Sequence, residues 1–408
     1  MISVPLNSIA SIVRGITFAK SEGELKPENN YLPVIRAGSI QQELLLDEGR
    51  IWVPKSKIKD DQLIRKNDII MCTSSGSADL VGKCAISNEN WNGSFGAFCC
   101  GIRADDSKCI PSYLYFFLNS PVFKEWTKSA LGANIKNIRA SELAEFKIPL
   151  PPLSIQKQIA AILEKADQLR KDCQQMEQEL NNLAQAVFIE MFGDPVSNPK
   201  GWKTLPLSSI VDDFLGGKSL AASEDEATNF KNRVAKISAV TSGEFKSYES
   251  KPLPNDYEPP EAHYIKNGDL LFSRANTTEL VGATAMVFNT PGNIVLPDKL
   301  WRFVWKADVQ LSSVFMWKLL SFPSQRVEIS KLSSGSGGSM KNISKEKLST
   351  LNVIFPPVRL QKKYEEFYSL LRRQIEEQKN NMVDADKLFD SLIQKAFSGE
   401  LNLNHKAA

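Results

Sequence analysis

Beyond Pro152 the apolar side chains recur at alternating steps of four and three: Ile155, Ile159, Ile162, Ala166, Leu169, Cys173, Met176, Leu180, Leu183 and Val187. That spacing is an a/d heptad seam, and it predicts a long helix with coiled-coil packing. The pattern returns beyond Pro357 as Leu360, Tyr364, Phe367 and Leu371, passes through polar Gln374, Gln378 and Asn381, and resumes at Ala385, Leu388 and Leu392. A helix of about 38 residues rises roughly 57 Å, more than a globular domain needs for its own core. Two such helices in one chain pack most simply against one another, antiparallel. Upstream of each proline pair the pattern changes to short β-rich runs, "DIIMC" and "AFCCGIR" in the first half and "DLLFS" and "LWRFVW" in the second, broken by Gly, Ser, Asn and Asp turns. A short helical stretch follows in each half, "PSYLYFFLNSPVFKEW" and "LSSVFMWKLLSFPSQRV". Because proline disfavours helix in the residue before it and is tolerated in a first turn, "IPLPPLSIQKQI" and "VIFPPVRLQKKY" each end a strand and launch a helix.

The two halves share one plan. "NIKNI" (134–138) lies over "SMKNI" (339–343), Leu143 over Leu348, and Pro151, Pro152 and Gln156 over Pro356, Pro357 and Gln361. "NDIIMCTSSGSADLVGK" resembles "NGDLLFSRANTTELVGA", and "VPLNSI" answers "LPLSSI". The period is about two hundred residues, which indicates a duplicated pair of domains and not a short-repeat solenoid. The expected fold class is α+β: two similar, mostly β domains with short helices, joined by two long antiparallel coiled-coil helices in a pseudo-twofold layout. The expected segments are residues 1–150, a first domain; 151–193, a first helix; 194–355, a linker and second domain; 356–400, a second helix; and 401–408, a tail.

Composition narrows the chemistry. With 408 residues, 42% hydrophobic and 24% charged, the chain reads as globular, and its N-terminus lacks the basic and apolar regions of a secretory signal, so a cytoplasmic location is expected. Six cysteines without a C-x-x-C pair read as small buried hydrophobes, and only His263 and His405 are available as histidines, which argues against a zinc site or a His-based triad. "DDFLGGKS" places Asp212 where a phosphate-binding loop needs glycine, and "SSGSGGS" lacks the strand-to-helix context of a dinucleotide site. No catalytic motif is present, and no metal or cofactor of the chain's own is expected. The formal net charge of +3 permits nucleic-acid binding only if basic residues gather on one surface.

Binding remains. The polar loop after "DII" carries Thr73, Ser74, Ser75 and Ser77, and the loop after "DLL" carries Ser273, Arg274, Asn276, Thr277 and Thr278. Arg and Asn read guanine and adenine edges bidentately, while Ser and Thr serve bases and phosphates. The segments around "NIKNIR" and "GSGGSMKNIS" add Lys136, Asn137 and Arg139, and Ser336, Lys341 and Asn342; Arg36 and Lys83 complete the candidate DNA-binding set. The competing reading is a duplicated coiled-coil scaffold with no role at DNA.

The order of domain, "IPLPPL-x-x-Q", long helix, "MFGDP", second domain, "PP-V-x-x-Q" and a helix ending in "AFSGEL" resembles the specificity (S) subunit of bacterial type I restriction-modification systems over essentially the whole chain. The resemblance implies two target-recognition domains that each read one half of a bipartite DNA sequence. It implies helices that set the gap and dock two methyltransferase subunits, with S-adenosylmethionine and N6-adenine methylation on those partners and cleavage on restriction subunits. The chain departs from the family pattern where a Glu commonly precedes the Gln after the prolines: Ile155 and Leu360 stand there.

Overall fold

The computed structural model describes residues 2–130, 137–218, 230–335 and 340–401. The chain divides into two compact units, Met1–Gln175 with Lys379–Ala408, and Met176–Gln378. Both divisions fall inside the long helices, Leu153–Phe192 and Val358–Ser398. Each unit is therefore a β-rich domain sharing its core with part of both helices, and the helices are not separate spacers in series.

The two units have the same topology. In the first, the antiparallel sheet order is Ala10–Arg14, Cys99–Ala104, Ile69–Cys72, Cys84–Ile86; in the second it is Val211–Gly216, Leu300–Trp305, Leu270–Ser273, Thr284–Met286. Each also has a three-stranded sheet with one parallel pair, Tyr31–Ile35 beside Ser94–Phe95 in the first and Arg233–Ala235 beside Ile294–Val295 in the second. The first sheet edge ends alike in both. A Cβ on Gly15 would lie 2.1 Å from the Gly96 carbonyl oxygen, and one on Gly217 would lie 1.7 Å from that of Leu296, so only glycine lets the backbones approach.

The strand before each proline pair closes its domain by pairing with that domain's own first strand, Val4 opposite Ile148 and Leu205 opposite Val353. The prolines then stand just ahead of the helix and not in its first turn. The carbonyl of Pro152 accepts from the backbone N–H of Ile155 and Gln156, and that of Pro357 from Leu360 and Gln361, the N-cap role.

Within each unit the two helical segments meet, Arg170 with Asp386 in the first and Ala184 and Phe188 with Tyr364 in the second. The buried face overlaps the heptad seam only in part. Ile159, Ala166, Cys173, Tyr364, Leu371 and Ala385 are buried as expected; Ile155, Ile162, Leu180, Val187, Leu360, Phe367 and Leu392 are only half-buried. Leu169, Met176, Leu183 and Leu388 are 45–47% exposed. Residues one position beyond the seam, Leu163, Arg170, Ala184, Tyr368 and Phe389, turn inward or to the boundary instead.

The reason is that each helix carries two overlapping apolar tracks, and the four-three count weights the larger aliphatics. The packed track uses small Ala160 and Ala184 for close approach and aromatic Phe188, Phe192, Tyr368 and Phe389 for volume. Arg170 sits at its edge, its guanidinium 4.4 Å from the Phe389 ring centroid and its Nε 2.7 Å from Asp386. The second helix is also less wet in its middle than the seam suggests, because Ile375 is buried where the count lands on Gln374.

All six cysteines are buried thiols, and burial pushes Cys84 and Cys99 up to about 12. Among the described residues no helix is long and apolar enough to cross a membrane.

Candidate nucleic-acid interface

In both units the strand that leads to the polar loop is pinned at its start by a carboxylate on a neighbouring-strand arginine. Asp68 receives Arg103 Nη2 at 2.6 Å and Nε at 2.8 Å, and Asp269 receives Arg302 Nη1 at 3.2 Å. The Asp68 hydrogen bond raises the pKa of Arg103, and burial raises that of Asp269. The other end of the strand is thereby held in register with the sheet, and the loop leaves from a fixed point.

That loop is met by the segment preceding the closing strand. In the first unit Ser74 bridges Asn137, and Ile138 N–H donates to the Thr73 carbonyl at 2.8 Å. In the second, Ala275–Asn276 pairs antiparallel with Lys341–Asn342, and Ile343 N–H donates to the Arg274 carbonyl at 2.9 Å. Sequence positions more than sixty residues apart, chosen separately for their side-chain types, thus form one surface in each unit.

Within the first unit Thr73, Asn137 and Arg139 line a cleft of about 440 Å³ together with Arg14 and Thr17, residues that no sequence motif singles out. Arg139 remains largely exposed, with Glu142 at 3.5 Å. Ser75 accepts from Ser77 N–H within the loop. Thr73 donates through its hydroxyl and its backbone to the carbonyl of Phe98, whose side chain is 67% exposed. Arg36 caps the Gly49 carbonyl and lines a second cleft with Phe98. Phe98 was hidden in the sequence because "AFCCGIR" reads as one apolar strand, whereas the strand begins at Cys99.

Three candidates are placed otherwise. Ser273 is fully buried, its hydroxyl directed to the Ala275 carbonyl, and has no face to offer. Arg274 is tied to the scaffold, donating to the Asp298 carbonyl at 2.8 Å with its guanidinium 5.8 Å from the Trp301 ring centroid. Lys83 donates to Gln41 and lines a different cleft, with Arg170 and Lys171. Asn276 bonds to Ser273 and to the Thr277 backbone, Thr277 and Thr278 are exposed, and Lys341 reaches the Gly335 carbonyl at 2.7 Å. Asn342 is exposed, its backbone paired with Ser334. Lys136 and Ser336 lie outside the described residues.

A profile of the family described as type I restriction modification DNA specificity domain matches residues 2–182 and 199–385. The specificity subunit of the type I restriction enzyme EcoKI from Escherichia coli is 29% identical over 423 aligned positions, covering 99% of this chain and 89% of that protein. That of StySPI from Salmonella potsdam is 26% identical over 429 positions, covering 99% and 90%. The crystal structure of the type I S subunit from M. genitalium shares the fold, with a TM-score of 0.56 at 16% identity over 97% of this chain and 96% of that one. These matches do not favour a scaffold without a role at DNA: the chain belongs to the type I restriction-modification specificity-subunit family and carries two of its DNA specificity domains.

Proposed function

We propose that each unit reads one half of a bipartite double-stranded DNA sequence, that the long helices set the unspecified gap, and that the chain carries no catalysis of its own. Methylation of adenine N6, with S-adenosylmethionine as donor, belongs to two methyltransferase subunits docked on the helices, and cleavage to restriction subunits; the complex works in the cytoplasm. The observation that carries this reading is the duplicated convergence of the strand-end loop with the segment before the closing strand, Ser74 with Asn137 and Asn276 with Lys341. Exposed Arg139, Thr277, Thr278 and Asn342, with Arg14, Thr17 and the Phe98 ring in the first unit, are the groups available to phosphates and base edges. Leu169, Met176 and Leu183, left half-exposed along the first helix, suit a partner that covers them. A solved relative described in terms of complex assembly of the type I restriction-modification system, with a TM-score of 0.53, accords with a subunit that works in a complex.

The test is co-expression with the cognate methyltransferase subunit in a host lacking adenine methylation, followed by mapping of N6-methyladenine by single-molecule sequencing. A single bipartite motif with one fixed gap is expected. Soluble, associated subunits that leave the genome unmethylated would overturn the reading.

A further inference from the structure

We infer that Gln156 and Gln361 are positioning residues that lock each recognition domain to its long helix at one angle, and so confine the target gap to one length. The inference rests on the function proposed above. Both side chains are 0% exposed. Gln156 Oε1 accepts the backbone N–H of Ile110 at 2.9 Å, and Gln361 Oε1 accepts that of Ser312 at 3.1 Å; each donor is the residue immediately before its domain's first α-helix. The amide nitrogens turn back to the proline pair, Gln156 Nε2 to the Pro151 carbonyl at 2.8 Å and Gln361 Nε2 to that of Pro356 at 2.8 Å; Gln156 also donates to the Lys108 carbonyl at 3.1 Å. One side chain in the helix's opening turn thus ties together the domain body, the joint and the helix, twice, with the same atoms in the same roles.

The surrounding contact is apolar, and apolar contact is non-directional: it tolerates a swing that keeps area buried. A buried amide with donor and acceptor both engaged is directional at both ends and admits one orientation. Each unit also has ion pairs between domain and helix, Lys171 to Glu43 at 3.0 Å and Arg372 to Glu244 at 3.9 Å, and in the second Arg372 also lies over the Phe288 ring at 4.0 Å. These ion pairs are partly exposed, and pairs of that kind hold weakly. The glutamines supply the fully buried directional contact that recurs in both units at the start of the helix. Neighbouring base pairs are separated by about 3.4 Å of rise and about a tenth of a turn, so a domain freed to swing by that amount meets a half-site one base pair away.

The experiment uses the full-length chain with its methyltransferase subunit and compares wild type with Q156L, Q361L, Q156E and Q361E by methylation mapping and thermal melting. Leucine removes every polar contact, whereas glutamate keeps the shape and the acceptor. For Q156L and Q361L the half-site sequences stay unchanged, and the methylated fraction at sites with the gap altered by one base pair rises about tenfold or more, the discrimination that one buried hydrogen bond supplies. The glutamate variants fall between. Variants that melt lower yet keep the wild-type gap alone show a purely structural role and overturn the inference while leaving the proposed function standing. A wild-type complex without a bipartite motif overturns both. Should the leucine variants fail to accumulate as folded protein, Q156E and Q361E are judged by the same change in gap.

Discussion

Leu163→Ala and Leu169→Ala, made separately in the isolated chain, decide which face of the first helix is buried. The heptad count places Leu169 on the seam and Leu163 off it; the structure has Leu163 fully buried among Ile159, Phe389 and Ile393 and leaves Leu169 46% exposed. Truncating a buried leucine costs about 2–5 kcal/mol, through lost transfer energy and the cavity left behind. Leu169 has only about half its surface to lose, so its truncation costs about 1 kcal/mol or less. For a cooperative unit of about 200 residues each kcal/mol moves the melting temperature by about 2–4 °C, which separates the variants by several degrees. Urea unfolding followed by far-UV circular dichroism gives the same comparison through the midpoint at constant slope. In the second unit Ile375→Ala and Gln374→Ala form the matching pair, with Ile375 buried and Gln374 exposed. Equal losses for Leu163 and Leu169, or a neutral Leu163→Ala, would refute the rotated face.

Lys318 lies between the Trp317 and Tyr368 rings, 4.0 and 4.3 Å from their centroids, and burial lowers it to about 8, against a smaller opposing pull from Glu244. Between about pH 8 and 10.5 the unfolded chain holds a proton that the folded chain has released, so wild-type stability should rise with pH across that window relative to Lys318→Met, as read from urea midpoints; parallel curves would contradict the assignment. Inserting seven residues in both long helices lengthens each by about 10.5 Å, and the methylated motif should keep its half-sites and gain about three base pairs of gap. Exchanging residues 1–147 for the corresponding part of another family member should change one half-site only, and altered methylation of both halves would refute independent readers.

The duplicated plan was legible because positions that make a joint or a turn recur in register: Pro151 and Pro152 with Pro356 and Pro357, and Leu-Val-Gly at the end of both loops. Side-chain type alone put Ser74, Asn137, Asn276 and Lys341 into one candidate set, but that the two segments of each unit pair with one another came from the fold. Burial within those segments was not legible. Ser273 ends its strand at the place Cys72 holds in the first unit, and both are covered. A serine there reads as the first residue of the loop, and only contacts from elsewhere in the fold decide otherwise. Arg274 shows the same limit: its type suits guanine, but Asp298 and Trp301 claim it first. Gln156 and Gln361 served in the sequence only as matched positions after the proline pairs; nothing there marks them as the fully buried neighbours of half-buried Ile155 and Leu360.

Where the units divide bears on how such a chain can change its target. Each half of a long helix is built into a domain core, so the helices cannot be lengthened or shortened within those halves without moving Leu163, Phe188, Tyr364 or Phe389 off their contacts. The divisions at Gln175 and Met176 and at Gln378 and Lys379 are the points where added length leaves both cores whole. Even there the increment matters, because each residue added to a helix turns everything beyond it by about 100°, and only steps close to whole turns, such as seven residues, bring the packed face back within about 20°. Gap length in this architecture is therefore expected to change in quanta set by the helical repeat. On the proposed function, half-site sequence is expected to change independently, through exposed side chains of the recognition loops such as Arg139, Thr277 and Thr278.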